Sequence, residues 1–141
     1  MLIGIPRALG PDLLHTLRSM GHGDEIALVD GNYPAQEHAR RLIRADGLDL
    51  LTVLDAVLTV LPLDRDKPHA AFRAAPNNDP NQTSEIHRRI DALCLDHGSA
   101  PLALGAPMLY DRIRAAHTIV ATSESALFAN VILRKGVLGP H

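Results

Sequence analysis

One cysteine, Cys94, is the whole thiol content of this 141-residue chain, so no internal disulfide can form. Cys94 lies in the helical-looking run Ile90–Leu95, where a small buried hydrophobe is the plain reading and a nucleophile the remote one. Nothing at the N-terminus follows the charged, apolar, small-residue order of a secretory leader, and the expectation is a cytoplasmic protein. Tryptophan is absent and the aromatics are four, Tyr33, Phe72, Tyr110 and Phe128; any apolar wall for a ligand ring comes from these, and their commoner use is core. Neither sign of charge dominates: 14 basic against 16 acidic residues leave a net charge of −2. That balance gives no footprint for nucleic acid or an anionic membrane surface, so polymer binding is not expected. The chain has no phosphate-cradling glycine loop, no Gly-x-Ser-x-Gly and no dinucleotide fingerprint, which sets aside kinases, serine hydrolases and nicotinamide enzymes. Its eight histidines include no His-Glu-x-x-His pair, and no Cys-x-x-Cys accompanies them, so no metal is expected. The longest apolar stretch, Gly47 to Leu63, falls short of the ~20 residues of a membrane span. It also carries Asp49 and Asp55, each costing about 2.5 to 3.5 kcal/mol at a bilayer centre.

What is present reads as one domain over residues 1–141, a length able to bury a core. Pro11-Asp12 opens a helical pattern that Gly21 stops through its tolerance of positive φ. Glu25–Asp30 is a short apolar strand, and Gly31-Asn32-Tyr33-Pro34 is turn chemistry. Pro34 starts a helix over Ala35–Leu42, and Ile43-Arg44-Ala45 is ambiguous. Asp46 caps an amphipathic helix whose stripe is Leu50, Leu51, Leu54, Val57, Leu58 and Leu61. A weak strand over Ala70–Ala75 leads to the loop Pro76–Asn81, then a helix capped by Thr83 or Ser84 and stopped by Gly98. A strand Leu102–Leu104, a helix Pro107–Ala116 and strands Thr118–Thr122 and Val131–Leu133 complete the chain. Helices alternating with short apolar strands make an α/β domain on a mostly parallel or mixed sheet.

Gly21-His22-Gly23 joins the first helix to the first strand, and its glycines leave the imidazole unshielded. Histidine's ordinary pKa, near 6.5, suits it both to give and to take a proton at neutral pH. The alternative is that His22 only decorates the turn. Asp24 can support that turn. Asp30, at the carboxyl end of a strand, lies where α/β sheets bind ligands, or else starts an Asx turn into Gly31. His15, His38, His69, His87, His97, His117 and His141 have no comparable setting and read as solvated surface.

These motifs carry a resemblance that runs along nearly the whole chain. Leu2-Ile3-Gly4-Ile5, Gly21-His22-Gly23-Asp24-Glu25-Ile26, Asp30, Tyr33-Pro34, Arg44-Ala45-Asp46-Gly47 and Asn130–Val137 are similar to the D-ribose pyranase and L-fucose mutarotase family, on its fucose side. The resemblance implies a ring-forming fold, with homo-oligomers up to a decamer and sites near subunit contacts. It also implies a cofactor-free isomerase that interconverts the α and β anomers of a monosaccharide pyranose, L-fucose or a related sugar. By motif, the proton donor falls on His22 and sugar contacts fall on Asp30, Tyr110, Phe128 and Asn130. Three places depart from the pattern. The family's Tyr-Gly-Asn stands as Phe128-Ala129-Asn130, its basic residue four positions before Tyr110 is Ala106, and its Gly-Glu-Arg is Ser123-Glu124-Ser125. Two rival expectations follow: a non-catalytic sugar-binding or transport-associated protein on the same fold, and a pyranase that converts pyranose to furanose.

Overall fold

Ile26, Ala27, Leu28 and Val29 carry no polar side chain because helices cover both faces of the strand they form. The computed structural model describes residues 1–140; His141 lies outside them. The elements are α1 (Pro11–Ser19), β1 (Glu25–Val29), α2 (Ala35–His38), β2 (Leu42–Ala45), α3 (Leu50–Val60), β3 (Ala71–Ala74), α4 (Glu85–Asp96), β4 (Leu102–Leu104), α5 (Ala106–Ala115), β5 (Thr118–Thr122) and β6 (Val131–Arg134). The strands form one mixed sheet in the order β2-β5-β1-β6-β3-β4. β1 pairs parallel with β5, β5 with β2, and β3 with β4, while β6 runs antiparallel to both β1 and β3. Five strands therefore point one way, and the carboxyl ends of β1 and β3 share a sheet edge with the start of β6.

Side chains alternate across a strand, and the two sheet faces accordingly have separate cores. Ile26, Leu28, Val120, Val131 and Leu133 pack with Leu13 and Leu17 of α1, the apolar stripe of α3, and Ile90 and Cys94 of α4. Ala27, Val29, Ile119 and Ile132 pack with Leu109 and Ile113 of α5 and Ala35 of α2. Cys94 is fully buried, and burial pushes its thiol up to about 12, which leaves it a hydrophobe. Among the described residues no helix is long and apolar enough to cross a membrane.

Several boundaries differ from expectation for local reasons. α1 ends because Met20 turns extended, its N–H still bonded to Thr16 O, and Gly21 is not at positive φ; Gly23 is, at +87°. The helix expected over Ala35–Leu42 is a single turn, closed where Ala39 becomes extended, and Leu42–Ala45 pairs with β5 as an edge strand. The cap of α3 is Asp49, which accepts the Thr52 N–H at 2.8 Å, whereas Asp46 forms a bidentate pair with Arg44. Gly98, at φ +100°, follows α4 as expected.

Candidate functional site

The turn holding His22 is closed at several points by main-chain groups. Gly23 N–H donates to Lys135 O at 2.8 Å, Lys135 N–H to Asp24 O at 2.9 Å, and Gly21 N–H to the Asp24 carboxylate at 2.8 Å. A side chain at Gly23 would meet the Arg134 guanidinium at 3.3 Å. Asp24 thus supports the turn, and His22 stands on it with 43% of its side chain exposed.

Its partner is Asp64, a residue to which no local spacing points. His22 Nε2 lies 3.1 Å from Asp64 Oδ1 and 3.3 Å from Asp66 Oδ2. Carboxylates only accept, so Nε2 carries a hydrogen and Nδ1 is the ring atom left to exchange a proton with a ligand. Asp64 is nearly sealed from solvent, its side chain 1% exposed. Its carboxylate accepts from Asp66 N–H at 3.0 Å and from Arg134 Nε at 2.7 Å. Those contacts, the Asp66 amide first and then Arg134 and His22, hold its pKa down to about 2 against the opposing effect of desolvation. Arg134 lies 3.7 Å from Glu25, which Arg112 grips at 2.6 and 2.9 Å from over the Phe72 ring. The imidazole is therefore anchored to a charge network rooted in β1, β6 and α5. His22, Asp64 and Asp66 also bring potential metal-ligand atoms within 4.8 Å of one another. Arg134 already neutralises Asp64 there, which works against a cation.

Gly136 makes this placement possible. Its N–H bonds Pro62 O at 2.7 Å, and a Cβ on it would stand 2.6 Å from Leu63 O and 2.8 Å from Asp64 Cα. Gly136→Ala must push the segment bearing Asp64 away from β6. Overpacking of this kind costs about 1 to 3 kcal/mol, to be measured by urea denaturation.

Asp30, Asn130 and Phe128 lie at the other edge of the sheet, and Tyr110 stands on α5 against the ring of Tyr33. Asp30 is buried, and desolvation raises its pKa while the N–H groups of Asn32, Ala129 and Tyr33 pull it back. Asn32 N–H donates to its Oδ1 at 2.9 Å, so the Asx turn exists and the carboxylate is held by it. Asn130 accepts the Asp30 N–H on its side-chain oxygen at 3.0 Å. Phe128 is half-buried at φ +57°, and Tyr110 is 40% exposed with its ring centroid 5.5 Å from that of Tyr33. Ser123 and Glu124 have structural duties: Ser123 Oγ accepts Gly47 N–H, and Glu124 accepts the N–H groups of Leu50 and Ala126. Ala106 starts α5, its N–H held by Asn78.

Three of the histidines read as surface are instead engaged, among them His117, whose Nδ1 lies 2.8 Å from the Thr118 hydroxyl. His38 bonds Tyr33 and Arg114. His87 is 1% exposed, on the same helical face as Ile90 and Cys94. Its Nε2 donates to Phe128 O at 2.7 Å, and its Nδ1 accepts from the Ser84 hydroxyl at 2.7 Å. His87 thus holds Phe128 in its left-handed conformation. Burial, the first cause, pushes the His87 pKa below its ordinary 6.5. The unfolded chain therefore binds the extra proton first, and stability falls as pH drops below about 6.5, levelling off below the folded-state value. Melting curves between about pH 7.5 and about pH 5.5 check this: the wild type should lose more stability than His87→Gln over that interval.

The sequence profile of the RbsD / FucU transport protein family matches residues 3–138. The chain is 41% identical to the fucose mutarotase of Mus musculus, over 97% of this chain and 95% of the mouse protein. It is 38% identical to the L-fucose mutarotase of Glaesserella parasuis, over 97% and 96% of the two chains. Its backbone superposes with a TM-score of 0.88 on the crystal structure of the Streptococcus pneumoniae fucose mutarotase in complex with L-fucose, at 38% identity, covering 98% of this chain and all of that one. Two sheet edges, one carrying an anchored imidazole and the other a buried carboxylate beside an amide and aromatic rings, thus occur in a chain that belongs to the RbsD / FucU transport protein family.

Proposed function

We propose that the protein, with residues 1–141 acting as one mutarotase-like domain, interconverts the α and β anomers of a pyranose, L-fucose or a close relative, without a cofactor. The observation that carries this reading is His22, fixed at Nε2 by Asp64 and Asp66 with Nδ1 left open, in a chain similar along its length to fucose mutarotases. His22 delivers a proton from Nδ1 to the ring oxygen as the bond from that oxygen to the anomeric carbon breaks. The anomeric hydroxyl releases its proton to water, giving the open-chain aldehyde. After rotation about the bond between C1 and C2, the former ring oxygen adds to the opposite face of the carbonyl. His22 takes that oxygen's proton back, and water returns one to the carbonyl oxygen. Atoms and charge balance over the cycle. Asp30 and Asn130 hold hydroxyl groups, with Tyr110 and Phe128 as apolar walls.

In one chain these groups do not reach a single sugar. β1, five residues long, separates the His22 turn from Asp30 by about 17 Å at ~3.3 Å per residue, well beyond the span of a pyranose. A complete site therefore takes the His22 edge from one copy and the Asp30 edge from a neighbour. Exposed apolar residues support such a head-to-tail contact: Val137 and Leu138 near the first edge, Met108 and Leu127 near the second. Heterologous contacts close into a ring where the rotation between copies returns to its start, and the assembly we propose is a decameric homo-oligomer in the cytoplasm.

Phe128, which offers no hydroxyl, favours the second reading, a sugar-binding protein without turnover. NMR exchange spectroscopy with fucose, galactose, ribose and rhamnose separates the cases. Exchange between α- and β-pyranose signals supports the mutarotase, pyranose-to-furanose exchange the pyranase, and binding with exchange at the buffer rate the non-catalytic protein.

A further inference from the structure

Tyr33, in the turn that follows Asp30, starts a directed chain of hydrogen bonds through His38 to Arg114 in the last turn of α5. Arg114 Nη2 lies 3.0 Å from His38 Nε2, and His38 Nδ1 lies 2.8 Å from the Tyr33 hydroxyl. A guanidinium has only donors. His38 Nε2 must therefore present its lone pair, Nδ1 must carry the hydrogen, and the Tyr33 oxygen must accept it. The phenol's own hydrogen then has to point elsewhere. Two rings frame it: Tyr110, with its centroid 5.5 Å from that of Tyr33, and His38, edge-on at 5.3 Å. The half-buried phenol is also pushed up to about 12, by burial first and then by Tyr110, so it keeps its proton across the working range.

The position of this donor gives it a use. Tyr33 stands three residues after Asp30 in the same turn, and its own N–H bonds Asp30 O at 3.3 Å. Asp30 can only accept once ionised, Asn130 has its side-chain oxygen committed to the Asp30 N–H and offers its Nδ2 as a donor, and Phe128 has no polar side-chain atom. A sugar hydroxyl both gives and accepts a hydrogen bond, and a pyranose presents several, so a second donor in the turn after Asp30 complements the single amide of Asn130. We propose that Tyr33 is a substrate-contacting, specificity-determining residue, its hydroxyl oriented by Arg114 and His38 to donate to an oxygen of the pyranose whose hydroxyls Asp30 holds. This rests on reading the Asp30 edge as the sugar-binding edge. The ligand class is a pyranose with hydroxyl groups spaced to meet a carboxylate and a phenol together, and a sugar lacking the accepting oxygen is disfavoured.

The test is equilibrium binding, which is read independently of turnover. L-fucose and its monodeoxy analogues are titrated by NMR against the assembled wild type, Tyr33→Phe and His38→Ala, with anomer exchange recorded in the same samples. Tyr33→Phe should bind L-fucose roughly three- to tenfold more weakly, the loss of one neutral hydrogen bond. One monodeoxy sugar should bind the wild type more weakly by a similar factor and suffer no further loss with Tyr33→Phe. His38→Ala, which keeps the phenol and frees its proton to turn, should give a smaller loss with the same sugar preference. The inference is overturned by a Tyr33→Phe protein that binds the parent sugar and every deoxy analogue as the wild type does. Wild type that binds L-fucose with anomer exchange at the buffer rate would overturn the mutarotase reading instead, and leave the Tyr33 contact standing on the binding data.

Discussion

His22→Ala lowers the rate of protein-catalysed anomer exchange by about 10²- to 10⁴-fold, the range supplied by one positioned acid–base group. The fold should survive the change. His22 is partly exposed on a turn closed by main-chain bonds, and Asp64 keeps both Arg134 and the Asp66 amide when the imidazole is gone. Stability should fall by no more than about 0.5 to 1.5 kcal/mol, the share of one hydrogen bond from a half-exposed imidazole to Asp64. Saturation transfer between anomeric protons reads the rate, and thermal melts read the fold. A His22→Ala protein that exchanges anomers at the wild-type rate would place the proton-transfer group elsewhere.

The second large effect concerns the proposed sharing of a site between copies. Asp30→Asn keeps an oxygen for the Asn32 N–H but removes the charge proposed to grip sugar hydroxyls, and should cost roughly ten- to a hundredfold at low sugar concentration. Neither Asp30→Asn nor His22→Ala assembled alone has an intact site. Co-expressed in equal amounts, they should regain about one quarter of the wild-type rate, since half the copies carry an intact His22 and half an intact Asp30, drawn independently from neighbours. The factor depends on both edges of the sheet contributing to one sugar site. Recovery no greater than the sum of the two separate proteins would show that each chain works alone.

Why the two edges were not equally readable follows from how each is held together. The strands β1, β5 and β6 were legible because they are buried on both faces and read as apolar runs. β2 was not, since an edge strand of mixed burial, Leu42–Ala45, has a pattern hardly distinct from a helix continuing from Pro34. His22 stood out through its glycines, but its anchor lies 42 residues away, and no spacing rule reports a contact that the return of β6 past Leu63 creates. The place of Asp30 at the end of β1 was legible from the apolar run before it. Its surroundings were less so: the directed chain through His38 joins α2 to α5, 76 residues apart. His87 did carry a usable signal, for residues 87, 90 and 94 share one face of α4 and the other two are apolar. Reading that face as a stripe would have placed the imidazole inside, and a buried histidine demands partners.

The resemblance identified from the sequence implies the chemistry, and the structure shows Nδ1 as the open atom of His22 and Asp64 as its anchor, with the Asp30 turn at the far edge proposed as its counterpart. The measurement closest to the centre of this account is saturation transfer between the α and β anomeric protons of L-fucose in the presence of the assembled wild-type protein. Transfer that rises in proportion to protein concentration and vanishes with His22→Ala is the predicted result. Transfer at the buffer rate while the sugar demonstrably binds would contradict it.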